Sequence, residues 1–134
     1  MRISQNLSSR FDAVPGFITG IIGLLQKEFV ISEEDIFNIR LALEEAVSNA
    51  IKHGNRLDPS LGVEVAVDCD GNNLTMVVKD HGQGFDFDKV PDPMLPQRRM
   101  HSFGRGIFLM KKVMDEVSFH DGGRSITMIK KLRR

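Results

Sequence analysis

The chain has 134 residues, 41% hydrophobic and 27% charged, and its 18 Lys and Arg balance 18 Asp and Glu, so nothing favours non-specific nucleic-acid binding and the length suits one domain. No apolar run approaches the ~20 residues of a membrane-spanning helix, and the opening MRISQNLSSRF lacks the basic start and apolar run of a secretion signal, so the expectation is a cytoplasmic protein with no membrane partner. The single Cys69 excludes an internal disulfide, and His53, His81, His101 and His120 are scattered without the pairing of a structural zinc site.

From Arg2 to Arg10 the pattern is that of a weak strand. Pro15 then suits the first turn of a helix, where its missing N–H would be unpaired anyway. Val14, Phe17, Ile18, Ile21, Ile22, Leu25 and Phe29 recur every three or four residues and form the core-facing stripe of that helix. Ser32 followed by Glu33, Glu34 and Asp35 is a capped, acid-rich start resembling a capping box. It predicts a second helix from about Glu33 to His53, with Ile36, Ile39, Leu43, Val47, Ala50 and Ile51 facing inward and Gly54 as the stop. Alternation at Val63, Val65 and Val67 gives a strand, and a turn at Gly71–Asn73 leads into a second one, LTMVVKD.

Between Gly82 and Phe103 periodicity is lost and Pro91, Pro93 and Pro96 gather with Arg98 and Arg99, which predicts a lid at about 86–103. Gly104 to Met114 returns to helical spacing through Ile107, Phe108, Met110 and Val113, and EVSFH, DGGR and SITMIKKL make a closing hairpin. The fold class expected is α+β: a two-layer sandwich with helices on one face of a mixed, mostly antiparallel sheet.

Three segments carry possible chemistry. On the second helix Glu45 and Asn49 are four apart, share a face and lie off the apolar stripe. A carboxylate could accept a proton beside an amide oxygen offered to magnesium, or the two could be ordinary surface residues; Glu44, about 100° around the helix, reads as a solvated neighbour. In KDHGQGFD an apolar strand ends at Asp80 and runs into Gly82 and Gly84. The carboxylate could accept a hydrogen bond from an exocyclic amine while the glycines admit a flat base, or the glycines could simply turn the chain. In HSFGRGIFLMKK, Gly104 and Gly106 stand at a helix start. Free N–H groups and Arg105 there could hold a terminal phosphate, although a flexible helix start fits the same residues. No GK[ST] follows, so this is not a Walker loop, and a Rossmann fingerprint lacks its third glycine.

Taken in order, ExxxN on a helix, DxGxG after a strand and GxG opening a later helix resemble the N, G1 and G2 boxes of the GHKL, or Bergerat-fold, ATPases. The likeness covers nearly the whole chain. EEAVSNAIKHGN, the compact lid and GRGIFLMKKVMDEV resemble the anti-sigma factor serine-protein kinases within that superfamily. The resemblance implies ATP and Mg2+ as cofactors, Glu45 as catalytic base, Asn49 as magnesium ligand and Asp80 as the partner of the adenine amine. It also implies Gly82 and Gly84 around the base, and Gly104, Arg105 and Gly106 at the phosphates, with Arg98 and Arg99 as lid candidates. Lys52, His53 and Asn55 would line the nucleotide mouth. The family often opens its last strand with Gly-Thr, whose hydroxyl assists adenine recognition. Here Gly123 is followed by Arg124, so Ser125 or Thr127 would have to supply it.

The implied function is a partner-switch. The kinase sequesters a sigma factor until an anti-anti-sigma protein of the STAS type displaces it, and phosphorylation of that antagonist on Ser or Thr ends the displacement. The alternatives are a non-catalytic nucleotide-dependent binding module and the ATP-binding domain of a histidine kinase. A homodimer is expected, partly from the resemblance and partly because Phe11, Phe17, Ile21 and Ile22 exceed what one helix stripe needs to bury.

Overall fold

The computed structural model describes residues 1–82 and 102–132. Strand β1 (Arg2–Ser8) is followed by helices α1 (Val14–Glu28) and α2 (Glu33–Asn49), a hairpin of β2 (Gly62–Asp70) and β3 (Asn73–Lys79), helix α3 (Ser102–Val113), and a second hairpin of β4 (Glu116–His120) and β5 (Ser125–Lys131). The strands form one sheet in the order β1-β2-β3-β5-β4. The fold is α+β as expected, and among the described residues each of the four strand pairings is antiparallel, where a mixed, mostly antiparallel sheet was anticipated. The lid expected at about 86–103 lies outside the described residues except for the start of α3.

Alternation decides which face of the sheet the helices cover. Val63, Val65, Val67 and Cys69 on β2, Leu74, Met76 and Val78 on β3, and Ile126 and Met128 on β5 are buried against Ile18, Ile21, Leu25, Ile39, Leu43 and Val47 of α1 and α2. Truncating a fully buried side chain such as Leu43 to alanine costs about 2–5 kcal/mol. Residues between these positions point the other way, and Thr127, set between Ile126 and Met128, is one of them.

Ser32 caps α2 as the sequence suggests, its Oγ accepting from the Asp35 N–H at 3.1 Å. The Asp35 side chain has a use that local spacing does not show. It is fully buried 3.7 Å from Lys130 Nζ, and that ammonium also donates to the Val113 carbonyl at 3.0 Å. One lysine of β5 thus joins the start of α2 to the end of α3, where a cation suits the helix dipole.

The second helix does not run evenly to His53. Its α-helical part ends at Asn49 and one π-helical turn, Ala50–Gly54, follows. There the Asn55 N–H reaches back to the Ala50 carbonyl at 2.8 Å. Arg56 and Leu57 then take φ of 52° and 64°, an uncommon conformation for side chains other than glycine. Of the apolar residues read as surplus, Ile21 and Ile22 are buried and Phe17 packs against the core, so this chain covers them itself; Phe11 remains exposed.

Candidate functional site

A cleft enclosing about 290 Å³ of empty space, open solvent included, lies between the helical layer and one end of the sheet. Its walls are Ala46, Asn49 and Ala50 from α2 and the π turn, Val78 and Asp80 from β3, and Phe119, Gly123, Arg124 and Ile126 from the last hairpin.

Asp80 is buried at the end of β3. Its Oδ1 accepts the Gly82 N–H at 2.9 Å, and its own N–H donates to the Arg124 carbonyl at 2.9 Å. Burial pushes the carboxyl pKa up, while the Gly82 N–H, Arg124 and His81 act in the opposite direction. Two glycines allow the approach. A Cβ on Gly54 would collide with the Asp80 carboxylate, and one on Gly82 would collide with the Gly54 carbonyl. Gly82 therefore serves close contact with the π turn, a role distinct from shaping the base directly; Gly84 lies outside the described residues.

Asn55 is the strut of this end. Its amide nitrogen donates to Ser9 Oγ and to the Gly62 carbonyl, both at 2.9 Å, and its oxygen accepts the His81 N–H at 2.8 Å. At 2% exposure it does not line a nucleotide mouth, contrary to the expectation for it. His81 itself is exposed, its ring 3.3 Å from Glu64.

Next to Asn49 of the cleft wall, α2 meets α3. Glu45 and Asn49, both half-buried, share the face that spacing assigns them. A Cβ built on Gly106 would come 2.7 Å from Glu45 Oε2 and 3.5 Å from the Asn49 amide, so the glycine lets α3 lie directly on this pair. Gly104 and Arg105 fall in the first turn of α3, where N–H groups lack helical partners, whereas Gly106 comes after it. Burial and the neighbouring Glu44 raise the Glu45 pKa, and Arg105 opposes them. Glu44 is itself half-buried and not the solvated bystander its helical angle suggests.

Other expected residues fall elsewhere. Lys52 and His53 lie on the π turn outside the cleft lining, and burial, then Lys52, lower the His53 pKa. Ser125 is buried at the start of β5 and Thr127 is on the sheet face away from the helices, and neither is among the described residues that line the cleft. Arg124 of the same hairpin does line the cleft, and the sequence reading gave it no role in the site.

A family model described as a histidine kinase-like ATPase domain matches residues 7–130. The chain belongs to this family, in its anti-sigma serine-protein kinase branch. It is similar to serine-protein kinase RsbW of Bacillus licheniformis, 30% identical over 145 residues that cover 99% of this chain and 89% of the relative. The anti-sigma F factor of Anoxybacillus flavithermus is 29% identical over 137 residues, covering 98% and 88%. Among solved structures, the RsbU and RsbW domains of Rv1364c from Mycobacterium tuberculosis share the fold with a TM-score of 0.70 at 21% identity. That match covers 100% of this chain, which spans 32% of the larger one. A kinase-like ATPase domain of this family uses ATP. No helix among the described residues is long and apolar enough to cross a membrane.

Proposed function

We propose that this protein is a magnesium-dependent serine/threonine-protein kinase that moves the terminal phosphate of ATP to an anti-anti-sigma protein of the STAS type and sequesters a sigma factor. The observation that carries the reading is that Asn49 lines the same cleft as the buried Asp80 and stands with Glu45 against Gly106 of α3. Relatives named as serine-protein kinases and anti-sigma factors support it.

Asp80 takes the adenine amine, because an ionised carboxylate only accepts hydrogen bonds. The N–H groups at the start of α3, with Gly104 and Arg105, face the phosphates. Asn49 offers one neutral oxygen to the metal, and no group of three or more His, Cys, Asp or Glu able to hold an ion occurs among the described residues. Such a sparse donor set fits magnesium, which keeps several waters and is held mainly by substrate phosphates. When bound, the ion neutralises phosphate charge during transfer.

Glu45 accepts the proton of the substrate hydroxyl as the serine oxygen bonds to the γ-phosphorus. The bond from that phosphorus to the β–γ bridging oxygen breaks, and ADP leaves with the electron pair. Such transfer relies on positioning and charge more than on covalent chemistry by the protein. Assembly as a homodimer rests on the resemblance, since the chain covers Phe17, Ile21 and Ile22 itself, and light scattering decides it.

Incubation with labelled ATP and STAS proteins encoded nearby is expected to label the antagonist on Ser or Thr in magnesium and not in chelator. Asn49→Ala is expected to remove the magnesium dependence of ATP binding with the fold intact. A mutant with wild-type affinity with and without chelator would reject Asn49 as ligand, and ATP binding without transfer to any such protein would leave a nucleotide-dependent binding module.

A further inference from the structure

The turn between β4 and β5 runs through three successive residues in the left-handed region, Asp121, Gly122 and Gly123, with φ of 53°, 65° and 89°. Glycine accepts such angles and Asp121 does so at a cost, so the turn persists only where surrounding contacts fix it. Arg124 supplies several of these. Its N–H and its Nη1 both donate to the Asp121 carbonyl, at 3.3 and 3.0 Å.

The same residue reaches across the cleft mouth. Arg124 Nε donates to the Gly82 carbonyl at 2.8 Å, and the Arg124 carbonyl accepts the Asp80 N–H at 2.9 Å. Asp80 is therefore bracketed, with Arg124 holding the chain at Asp80 itself and again two residues later. Between those points the Gly82 N–H fixes Asp80 Oδ1. Arg124 also lines the cleft with Gly123, Phe119 and Ile126, whereas Ser125 and Thr127 do not.

We propose that Arg124 is the positioning residue for base recognition, a clamp that holds the Asp80 carboxylate in the one setting that reads an exocyclic amine and so sets the preference for adenine over guanine nucleotides. The inference rests on the reading of the cleft as the adenine site. Adenine presents an amine donor where guanine presents a carbonyl acceptor, so a carboxylate fixed at that edge attracts one and repels the other. A carboxylate free to turn away loses much of that discrimination, because the repulsion is relieved by a small rotation. The guanidinium suits the task because its donors are held in a rigid planar fork; a lysine keeps the charge and loses the fork. Burial raises the Asp80 pKa and the Arg124 charge counters it, so the same side chain also favours the form that accepts a hydrogen bond.

Calorimetric titration of the wild-type protein, Arg124→Ala and Arg124→Lys with ATP and with GTP, each in magnesium, tests this. The expected result is a wild type that prefers ATP and an Arg124→Ala in which the ATP-to-GTP affinity ratio falls about ten-fold, the worth of one hydrogen bond to a charged group. Lysine is expected to leave most of that loss in place. A general loosening would weaken both nucleotides equally, so an unchanged ratio in Arg124→Ala overturns the proposal, as does full restoration by lysine, which would assign the effect to charge alone. If Arg124→Ala does not melt cooperatively, Arg124→Lys carries the test, with most of that ten-fold loss expected. A wild type without preference overturns the clamp together with the adenine reading, whereas a preference kept in both variants overturns the clamp alone.

Discussion

The Asp80 end of the site and the Glu45 end, where α2 meets α3, are built by different means. At the Asp80 end the parts are main chain and fully buried side chains: Asn55 ties three segments together, and the π turn lies against Gly82 with no room for a Cβ. At the Glu45 end two half-buried side chains of α2 meet the start of α3 across Gly106, and their electrostatics depend on the nearby charges of Glu44 and Arg105. On the proposed reading the rigid end recognises and the charge-tuned end reacts, so the two are expected to fail differently. Damage to the first shows as lost stability and affinity, damage to the second as lost rate.

The largest expected effect is at the charge-tuned end. Glu45→Gln keeps shape and removes basicity, so phosphotransfer should fall ~10²–10⁴-fold while ATP affinity stays near wild type, since a base contributes mainly in the transition state. Single-turnover rates beside calorimetric affinities check this, and unchanged turnover would remove Glu45 as the base. Next comes the rigid end, where Gly82→Ala forces a Cβ into the Gly54 carbonyl. Because neither backbone can yield cheaply, a loss of about 3 kcal/mol is expected, the upper part of the range for overpacking. Urea denaturation measures it. A fully stable Gly82→Ala would show that the turn after β3 adapts, and the contrast between the ends would vanish.

The charge-tuned end was the more legible of the two in the sequence, and the reason is geometric. Glu45 and Asn49 meet by helical spacing, a local rule, and the strands declare themselves by alternation at Val63, Val65 and Val67. Asp80 could be read as a polar residue closing an apolar run. Its supports could not, because Asn55 bonds to Ser9 and His81, 46 and 26 residues away, and Arg124 bonds to Gly82 across 42. The Asp35–Lys130 pair was hidden for the same reason, and Asp35 read locally as part of a cap. No local pattern distinguishes the π turn from the helix it continues. Strand parity sends Thr127, one of the two residues considered for an adenine-side hydroxyl, to the face away from the helices.

The smallest expected effect is also the most specific to the proposed base. Burial first and Glu44 second raise the Glu45 pKa, and Arg105 lowers it. A base must be deprotonated to act, so phosphotransfer should fall with decreasing pH along a limb displaced above the ordinary glutamate range. Measured as kcat at saturating ATP, that limb reports the nucleotide-bound enzyme and is separated from the titration of Asp80, which acts on affinity. The two neighbours have opposite signs. Glu44→Gln removes a repelling charge and should move the limb to lower pH, while Arg105→Gln removes an attracting one and should move it higher, whatever else that substitution does to the absolute rate. Both displacements should shrink on going from 0.1 to 1 M salt, as the Debye length contracts from ~10 to ~3 Å, while the part due to burial remains. Stability follows the same linkage. A carboxyl whose folded pKa is raised binds its proton more tightly when folded, so its contribution falls as pH rises from the unfolded pKa through the folded one, and Glu45→Gln should be more stable than wild type above that window. If both neighbour substitutions move the limb in one direction, the titrating group is not Glu45.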